Sequence, residues 1–196
     1  MRTKFILITV ALATTWLQLA AADQAKHSKY SGQEKRAIKS LSSEDIAELE
    51  RGGGWGMAKL AELNGLPGPA HLLELKNEID LTNDQLNEIQ RLHDEMKEQA
   101  IKFGKRLIMG EGELEARFQS NPPTDTELKT MLLAIEKTRS QLRFIHLSTH
   151  LKTPHILTTQ QIQTYNKLRG YSSIDPCDNT PTGHDVTMWR KHNQCE

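Results

Sequence analysis

Cysteine, aromatic residues and excess charge are all scarce in this chain of 196 residues. The two cysteines, Cys177 and Cys195, lie in the C-terminal tail, so a disulfide between them would close a tail loop and would not staple a core. Aromatic residues make up 5% of the sequence, whereas Glu, Lys, Leu, Gln and Ala are plentiful, which favours helix over sheet. The formal net charge is zero, so no global field favours nucleic acid as a partner.

The sequence signatures of common enzymes are also missing. The chain has no G-x-S-x-G, no H-E-x-x-H and no glycine-rich phosphate loop after a strand. C-x-x-C-H is absent as well, so covalent haem is not indicated. The glycines of "GGGW" are more typical of a linker than of a catalytic loop. We therefore predict a protein that is not an enzyme.

One long apolar run is present, and it lies at the N-terminus. The basic start "MRTK" precedes "FILITVALATTWLQL", and small residues follow at 20–22, which predicts a cleaved signal peptide over 1–22. Removing Arg2 and Lys4 from the 25 basic residues leaves 23 against 25 acidic residues in a mature chain that begins at Asp23. An uncleaved anchor is the alternative, but the run is short for a span of about 20 residues. We expect export and no stable membrane span after cleavage.

The rest of the chain divides into three parts. Residues 23–40 are polar and without pattern, which predicts a flexible arm. Residues 41–170 contain the helical patterns. Residues 171–196 are rich in Pro, Asn, Asp and Gly, which predicts a loop-like tail.

The longest periodic segment runs from Thr82 to about Ser120, with apolar residues three or four apart on one helix face. Its glycines predict a kink or break near "MGEGE". After the turn "NPPTD", a second helix runs to about Lys152. We therefore predict an all-α fold with a long helical hairpin and short flanking helices. The apolar stripe of such a hairpin needs the short helices, a second copy of the chain or a client to cover it.

A repeated hexapeptide marks three of the predicted helix starts. "LSSEDI" begins at Leu41, "LTNDQL" at Leu81 and "LTTQQI" at Leu157. In each, a hydroxyl can accept from the backbone N–H three residues later, and that later side chain can reach back, which is a capping box. Each cap contributes about 1 kcal/mol. We expect an architectural role for the residues of the two closest copies, which are Leu81, Thr82, Gln85, Leu157, Thr158 and Gln161.

With two L-T-x-x-Q motifs after a signal peptide, the chain resembles the Spy/CpxP family of periplasmic proteins, over roughly residues 81–171. That family includes zinc-resistance-associated proteins, and periplasmic metal sensors are similar to it. The resemblance implies a periplasmic helical cradle, formed by a homodimer of interlocked hairpins. It also implies ATP-independent, chaperone-like binding of unfolded or damaged envelope proteins under envelope stress or metal stress.

Histidines suggest the alternative function, which is heavy-metal binding or sensing. His146 and His150 lie four residues apart on the second long helix, so their rings can share one face and chelate a metal ion. The alternative is that both flank the core and hydrogen-bond to water or to neighbours, because a pair without a third ligand is a weak metal signal. His71 and His93 could add ligands only if the fold brings them near.

The tail offers a second candidate metal site. His184, Met188 and His192 follow one another at spacings of four, and such ligands suit Zn, Cu or Ni. Cys177 and Cys195 could add thiolates, but a disulfide between them would exclude thiolate ligation. A disulfide loop with incidental histidines explains the tail equally well.

Overall fold

The computed structural model describes residues 28–171, 180, 183–192 and 195. Within these residues there are helices and no strand, so the predicted all-α class is confirmed. The chain divides into two compact units, Met1–Lys39 and Ser40–Glu196. The predicted signal peptide lies outside the described residues. In the first unit, the described part of the predicted arm forms turns and one short 3-10 helix, Gln33–Lys35.

The second unit contains the elements that matter for function. Its described elements are α1 (Ser43–Glu50), α2 (Lys59–Glu62), α3 (Pro69–Glu74), α4 (Asn83–Ser120), α5 (Asp125–Lys152), a 3-10 helix (Thr153–Ile156), α6 (Thr159–Leu168) and α7 (Val186–His192). The two long helices, α4 and α5, form the predicted hairpin, and the short helices flank it. None of the helices that the structure describes has the length and apolar character needed to cross a membrane.

Four of these helices begin with a complete capping box, in which the cap hydroxyl and the side chain three residues later satisfy each other's backbone N–H. Three of the four caps are the second residue of the repeated hexapeptide, and the fourth cap lies within "NPPTD". The sequence-based prediction of these helix starts is therefore confirmed. The cap pairs are Ser42 with Asp45, Thr82 with Gln85, Thr124 with Glu127, and Thr158 with Gln161.

The helix α4 runs without a break from Asn83 to Ser120, so the predicted break near "MGEGE" is wrong, and the predicted kink stays a prediction. Two glycines of α4 allow neighbouring helices to pack closely against it. A Cβ on Gly104 would lie 2.4 Å from the carbonyl oxygen of Leu49, which shows how closely the backbone of α1 approaches α4 there. A Cβ on Gly110 would lie 3.1 Å from the side chain of Ile135 on α5. Tertiary packing therefore supports a continuous helix here, although glycine lowers helix propensity.

We predict that Gly104→Ala lowers the free energy of unfolding by about 1–3 kcal/mol, because the new methyl group overlaps backbone that cannot rotate away. Gly110→Ala is the matched control in the same helix, since it gains the same helix propensity of about 1 kcal/mol but meets only side-chain atoms of Ile135 and no backbone. Urea denaturation of both variants gives the comparison. Equal stability of the two variants would contradict the close approach of α1 to α4.

The buried apolar side chains include two groups in and beside the hairpin. Leu72, Ile79, Ile89 and Tyr165 form a buried cluster where α3, α4 and α6 meet, below the open end of the hairpin. Within the hairpin, Leu107, Ile135 and Leu142 are buried between α4 and α5. Leu49 on α1 and Leu92, Met96 and Ala100 on α4 are buried as well, so the core continues along α4.

The tail contains a helix, α7, where the sequence predicted only loop. Its start is fixed by Asp185, whose side-chain oxygen accepts a hydrogen bond of 2.8 Å from the backbone N–H of Met188. The ring of His184 also packs edge-on against the ring of Trp189, with centroids 5.1 Å apart. A single cap and one ring contact are weak signals in a segment rich in turn-forming residues, which is why the prediction failed.

Candidate functional site

The two L-T-x-x-Q motifs meet at the base of the hairpin. The side-chain N–H of Gln85 donates to Oε1 of Gln161 (2.9 Å) and to the carbonyl of Ile156 (2.8 Å). In return, the side-chain N–H of Gln161 donates to Oε1 of Gln85 (3.0 Å) and to the carbonyl of Asp80 (2.5 Å). The leucines of both motifs, Leu81 and Leu157, pack against the same buried cluster. Each glutamine thus joins the start of its own helix to the start of the other.

The two histidines predicted on one face of α5 are both buried there, with exposed fractions of 2% for His146 and 7% for His150. The Nδ1 of His150 lies 2.9 Å from the carbonyl oxygen of Leu66, so this nitrogen carries the proton that it donates. A Cβ on Gly68 would lie 2.5 Å from the same ring, which explains the glycine at that position. The imidazole of His150 is therefore packed against the backbone that leads into α3.

His146 has a different environment. Its Nε2 is buried and has no hydrogen-bond partner among the described residues. Burial, and then the nearby charge of His150, lowers the pKa of His146 to about 4. His146 is therefore neutral at physiological pH, with one ring nitrogen left for a partner that the described residues do not supply.

A buried carboxylate, that of Glu62 on α2, contacts side chains from three other segments of the chain, α3, α5 and α6 with its C-cap. The hydroxyl of Tyr165 on α6 donates to its Oε1. Nδ1 of His71 on α3 lies 3.1 Å from the same oxygen, and Nε of Arg169 lies 3.3 Å from it. Nδ1 of His150 on α5 lies 3.7 Å from the other oxygen, Oε2. We call these five residues the Glu62 cluster.

Burial and hydrogen bonds within the Glu62 cluster shift the pKa values of Glu62 and Tyr165. Burial raises the pKa of Glu62, but the hydrogen bonds from His71 and Tyr165 outweigh burial and hold this pKa below its ordinary value. Burial, followed by the hydrogen bond to Glu62, raises the pKa of Tyr165. A guanidinium N–H of Arg169 lies 3.4 Å from Nε2 of His71, so that nitrogen accepts while Nδ1–H donates to Glu62. His71 and Arg169 thus contact the carboxylate of Glu62 and each other.

The sequence did not predict the Glu62 cluster. Its members are far apart along the chain, since Glu62 and Tyr165 are 103 positions apart. The available signal was weak: an acidic residue among the apolar residues of "KLAELNGL". Acidic residues are almost never fully buried unless they are paired, but a sequence does not show which acid will be buried.

The structure does not complete the predicted metal site on α5. Across residues 28–171 and the described part of the tail, no group of three or more His, Cys, Asp or Glu side chains could hold a metal ion. His150 uses Nδ1 on a backbone carbonyl, and His93 places its Nδ1 3.0 Å from a carboxylate oxygen of Asp94. Metal binding by His146 and His150 stays a prediction.

The candidate residues of the tail are described only in part. His184 contacts Trp189, and Met188 is 70% exposed. Cys195 is disulfide-bonded. The side chain of His192, and Cys177 as the predicted disulfide partner, lie outside the described residues. The tail metal site therefore also stays a prediction.

Large apolar side chains remain exposed on the α4–α5 hairpin. Phe118 lies near the end of α4 and is 54% exposed. Met109 is exposed on α4, and Leu132, Leu133 and Phe144 are exposed on α5. Of these side chains, Phe118 and Leu132 belong to the apolar stripe that the sequence predicted, whereas Met109, Leu133 and Phe144 lie outside it.

Two hollows bring several of these apolar side chains together. One, of about 410 Å³, lies between the long helices and is lined by apolar groups that include Met109, Met131 and Ile135. The other, of about 340 Å³, lies on α5 and is lined mainly by Leu128, Leu132 and Leu133. We call the exposed apolar residues and the two hollows the hairpin surface. Charged residues of both signs border it, which are Arg106, Glu113, Asp125, Lys129 and Glu136.

No protein-family model, curated protein or solved structure matches this chain.

Proposed function

We propose that this protein binds unfolded or damaged polypeptides on the hairpin surface, in the manner of an ATP-independent chaperone and without catalysis. The observation that supports the proposal is the exposure of large apolar side chains on two long helices, with values of 60% for Met109 and 64% for Leu133. Contiguous apolar surface that remains exposed commonly marks a site of interaction.

The make-up of the hairpin surface suits clients of varied sequence. Methionine side chains, such as those of Met109 and Met131, are flexible and polarisable, so they adapt to differently shaped apolar partners. The border contains both Lys or Arg and Asp or Glu residues, and a border of mixed sign favours neither acidic nor basic clients strongly. The resulting affinity comes from apolar burial that is not specific to one sequence.

The cellular setting belongs to the same proposal. The signal-peptide pattern over 1–22 supports export, and the two L-T-x-x-Q motifs support a periplasmic role in envelope stress. A homodimer is part of the proposal as well, because a second copy could share the apolar stripe of the hairpin and form a concave cradle with it. Sedimentation of the mature chain, beginning at Asp23, measures its oligomeric state.

We predict that the mature chain suppresses the aggregation of a chemically reduced client protein at stoichiometric amounts, as measured by light scattering. The variant Leu132→Gln/Leu133→Gln should need a concentration about tenfold higher, because it removes apolar area that the client would bury. The matched control is Leu60→Gln/Leu63→Gln, since these leucines are 61% and 56% exposed on or next to α2, outside the hairpin.

The outcomes of this experiment separate the alternatives clearly. Suppression by the wild type and the control, with loss in the hairpin variant, supports client binding on the hairpin surface. No suppression by the wild type would rule the proposal out. Equal weakening in both double variants would show that exposed leucines act without regard to position, which also contradicts a specific surface.

A further inference from the structure

A separate cleft of about 450 Å³ lies between the Gly52–Gly56 turn region and the buried histidines of α5. It is independent of the hairpin surface, since it shares no lining residue with the two hollows there. Its volume falls within the range of about 300–1,000 Å³ that is usual for small-molecule sites. Helices α2, α3, α4 and α5 all contribute to its lining.

The lining of this cleft is strongly unbalanced in charge. Four cationic side chains line it, namely those of Arg51, Lys59, Lys97 and Arg169. Among the described residues that line it, Glu62 is the single carboxylate, and Tyr165, His71 and Arg169 already surround one oxygen of that group. A concave site whose walls have one sign of charge concentrates ligands of the opposite sign.

Two of the cations are available to a ligand. Arg51 pairs with Glu48, and Arg169 belongs to the Glu62 cluster. Lys59 and Lys97 are exposed and form no ion pair with another described residue. Both line the cleft, from α2 and α4 respectively. Neither charge is neutralised by an ion pair, although that of Lys97 contributes, after the hydrogen bonds from His93 and Gln90, to the lowered pKa of Asp94.

The deeper wall has an unmatched polar group and apolar surface. His146 lines the cleft, and its buried Nε2 has no hydrogen-bond partner among the described residues. Leaving such an atom unpaired when it is buried is costly, so a ligand that reaches it gains a hydrogen bond. Met96, Pro69 and the ring of Tyr171 supply apolar contacts, and a Cβ at Gly54 or Gly56 would meet nothing within 4 Å.

From this geometry we infer that the cleft is a binding site for a small organic anion. A carboxylate or phosphate group of the ligand lies near Lys59 and Lys97, and its compact apolar body extends along Met96 and Tyr171. A polar atom of the ligand pairs with Nε2 of His146. The site is distinct from the surface proposed for clients, so either could be present without the other.

The test uses four small probes that share one ring and differ in charge: benzoate, phenyl phosphate, benzyl alcohol and benzylammonium. We expect at least one of the two anions to bind the mature chain, and the neutral and cationic probes to bind much more weakly. Ligand-detected NMR titration at low salt measures the affinities. The tighter of the two anions identifies carboxylate or phosphate as the preferred group.

Variants locate the binding. Lys59→Gln/Lys97→Gln should weaken binding of the anion about tenfold at low salt, because two unit charges near the ligand are lost. Lys102→Gln/Lys105→Gln removes the same charge from exposed positions of α4 outside the cleft and should leave the affinity unchanged. All four substituted lysines are exposed, so both double variants should fold.

A spectroscopic measurement tests the deeper contact. In long-range proton–nitrogen spectra of the imidazoles, the Nε2 signal of His146 should shift when the anion is added, and that of the exposed His155 should not. Failure of both anions to bind would overturn the inference. Binding that is equally strong for benzylammonium, or equally weakened by both lysine double variants, would overturn it as well.

Discussion

Replacing Glu62 with alanine should lower the free energy of unfolding by about 3–5 kcal/mol, the largest loss that we expect from a single substitution. The carboxylate is buried, and one of its oxygens contacts Tyr165, His71 and Arg169 at once. Its removal leaves the buried hydroxyl of Tyr165 without its acceptor and the partly buried guanidinium of Arg169 without its ion-pair partner. The cost of such unpaired groups exceeds the net contribution of the intact pairs.

Urea denaturation monitored by circular dichroism measures this effect. Glu98→Ala on α4 is the matched control, because Glu98 is exposed and its substitution should change stability by about 0.5 kcal/mol at most. A double-mutant cycle with Tyr165→Phe then isolates the hydrogen bond between Tyr165 and Glu62. We expect a coupling energy of about 1–3 kcal/mol. A Glu62→Ala variant as stable as Glu98→Ala would show that the cluster does not hold the helices together.

Acidification from pH 7 to pH 4 should remove about 3 kcal/mol of stability through His146 alone, given a folded pKa of about 4 against an ordinary 6.5. The folded state keeps His146 neutral in this range, whereas the unfolded chain takes up the proton. The unfolded state therefore binds more protons, so stability rises with pH between about 4 and 6.5 and is lost as the pH falls. The lowered pKa of Glu62 acts in the same direction at still lower pH, since its stabilisation disappears as the carboxylate is protonated.

The variant His146→Leu separates this contribution from the rest of the acid response. Its stability should fall less between pH 7 and pH 4 than that of the wild type, by about 3 kcal/mol. His155→Leu is the control, because it removes an exposed histidine that follows the same helix. Identical pH profiles for wild type and His146→Leu would contradict a neutral, buried His146.

Local features of the fold could be predicted from the sequence, and features that depend on distant contacts could not. The helix starts at Ser42, Thr82, Thr124 and Thr158 follow from side chains within three residues of each cap. The continuity of α4 across its glycines is supported by α1 packing against Gly104, which no pattern within α4 reveals. Local propensity therefore predicted the elements correctly and wrongly predicted a break within α4.

In the candidate site, too, local features could be predicted from the sequence and distant contacts could not. The spacing of His146 and His150 correctly predicted that both would lie on one face of α5. It could not show that His150 would face the carbonyl of Leu66, which lies 84 positions away. The apolar pattern of the long helices was also predictable, but the extent of its exposure depends on how far the short helices reach.

The pairing of Gln85 with Gln161 has a consequence for how amino acids are selected at helix starts. A capping box works with an acid or an amide, and the boxes at Asp45 and Glu127 use acids. The two boxes that meet each other use glutamine. Two carboxylates at that separation would repel, and neither could donate to the carbonyls of Asp80 and Ile156. Glutamine three residues after the cap, where an acid would cap equally well, therefore indicates that an acceptor for its side-chain N–H lies nearby.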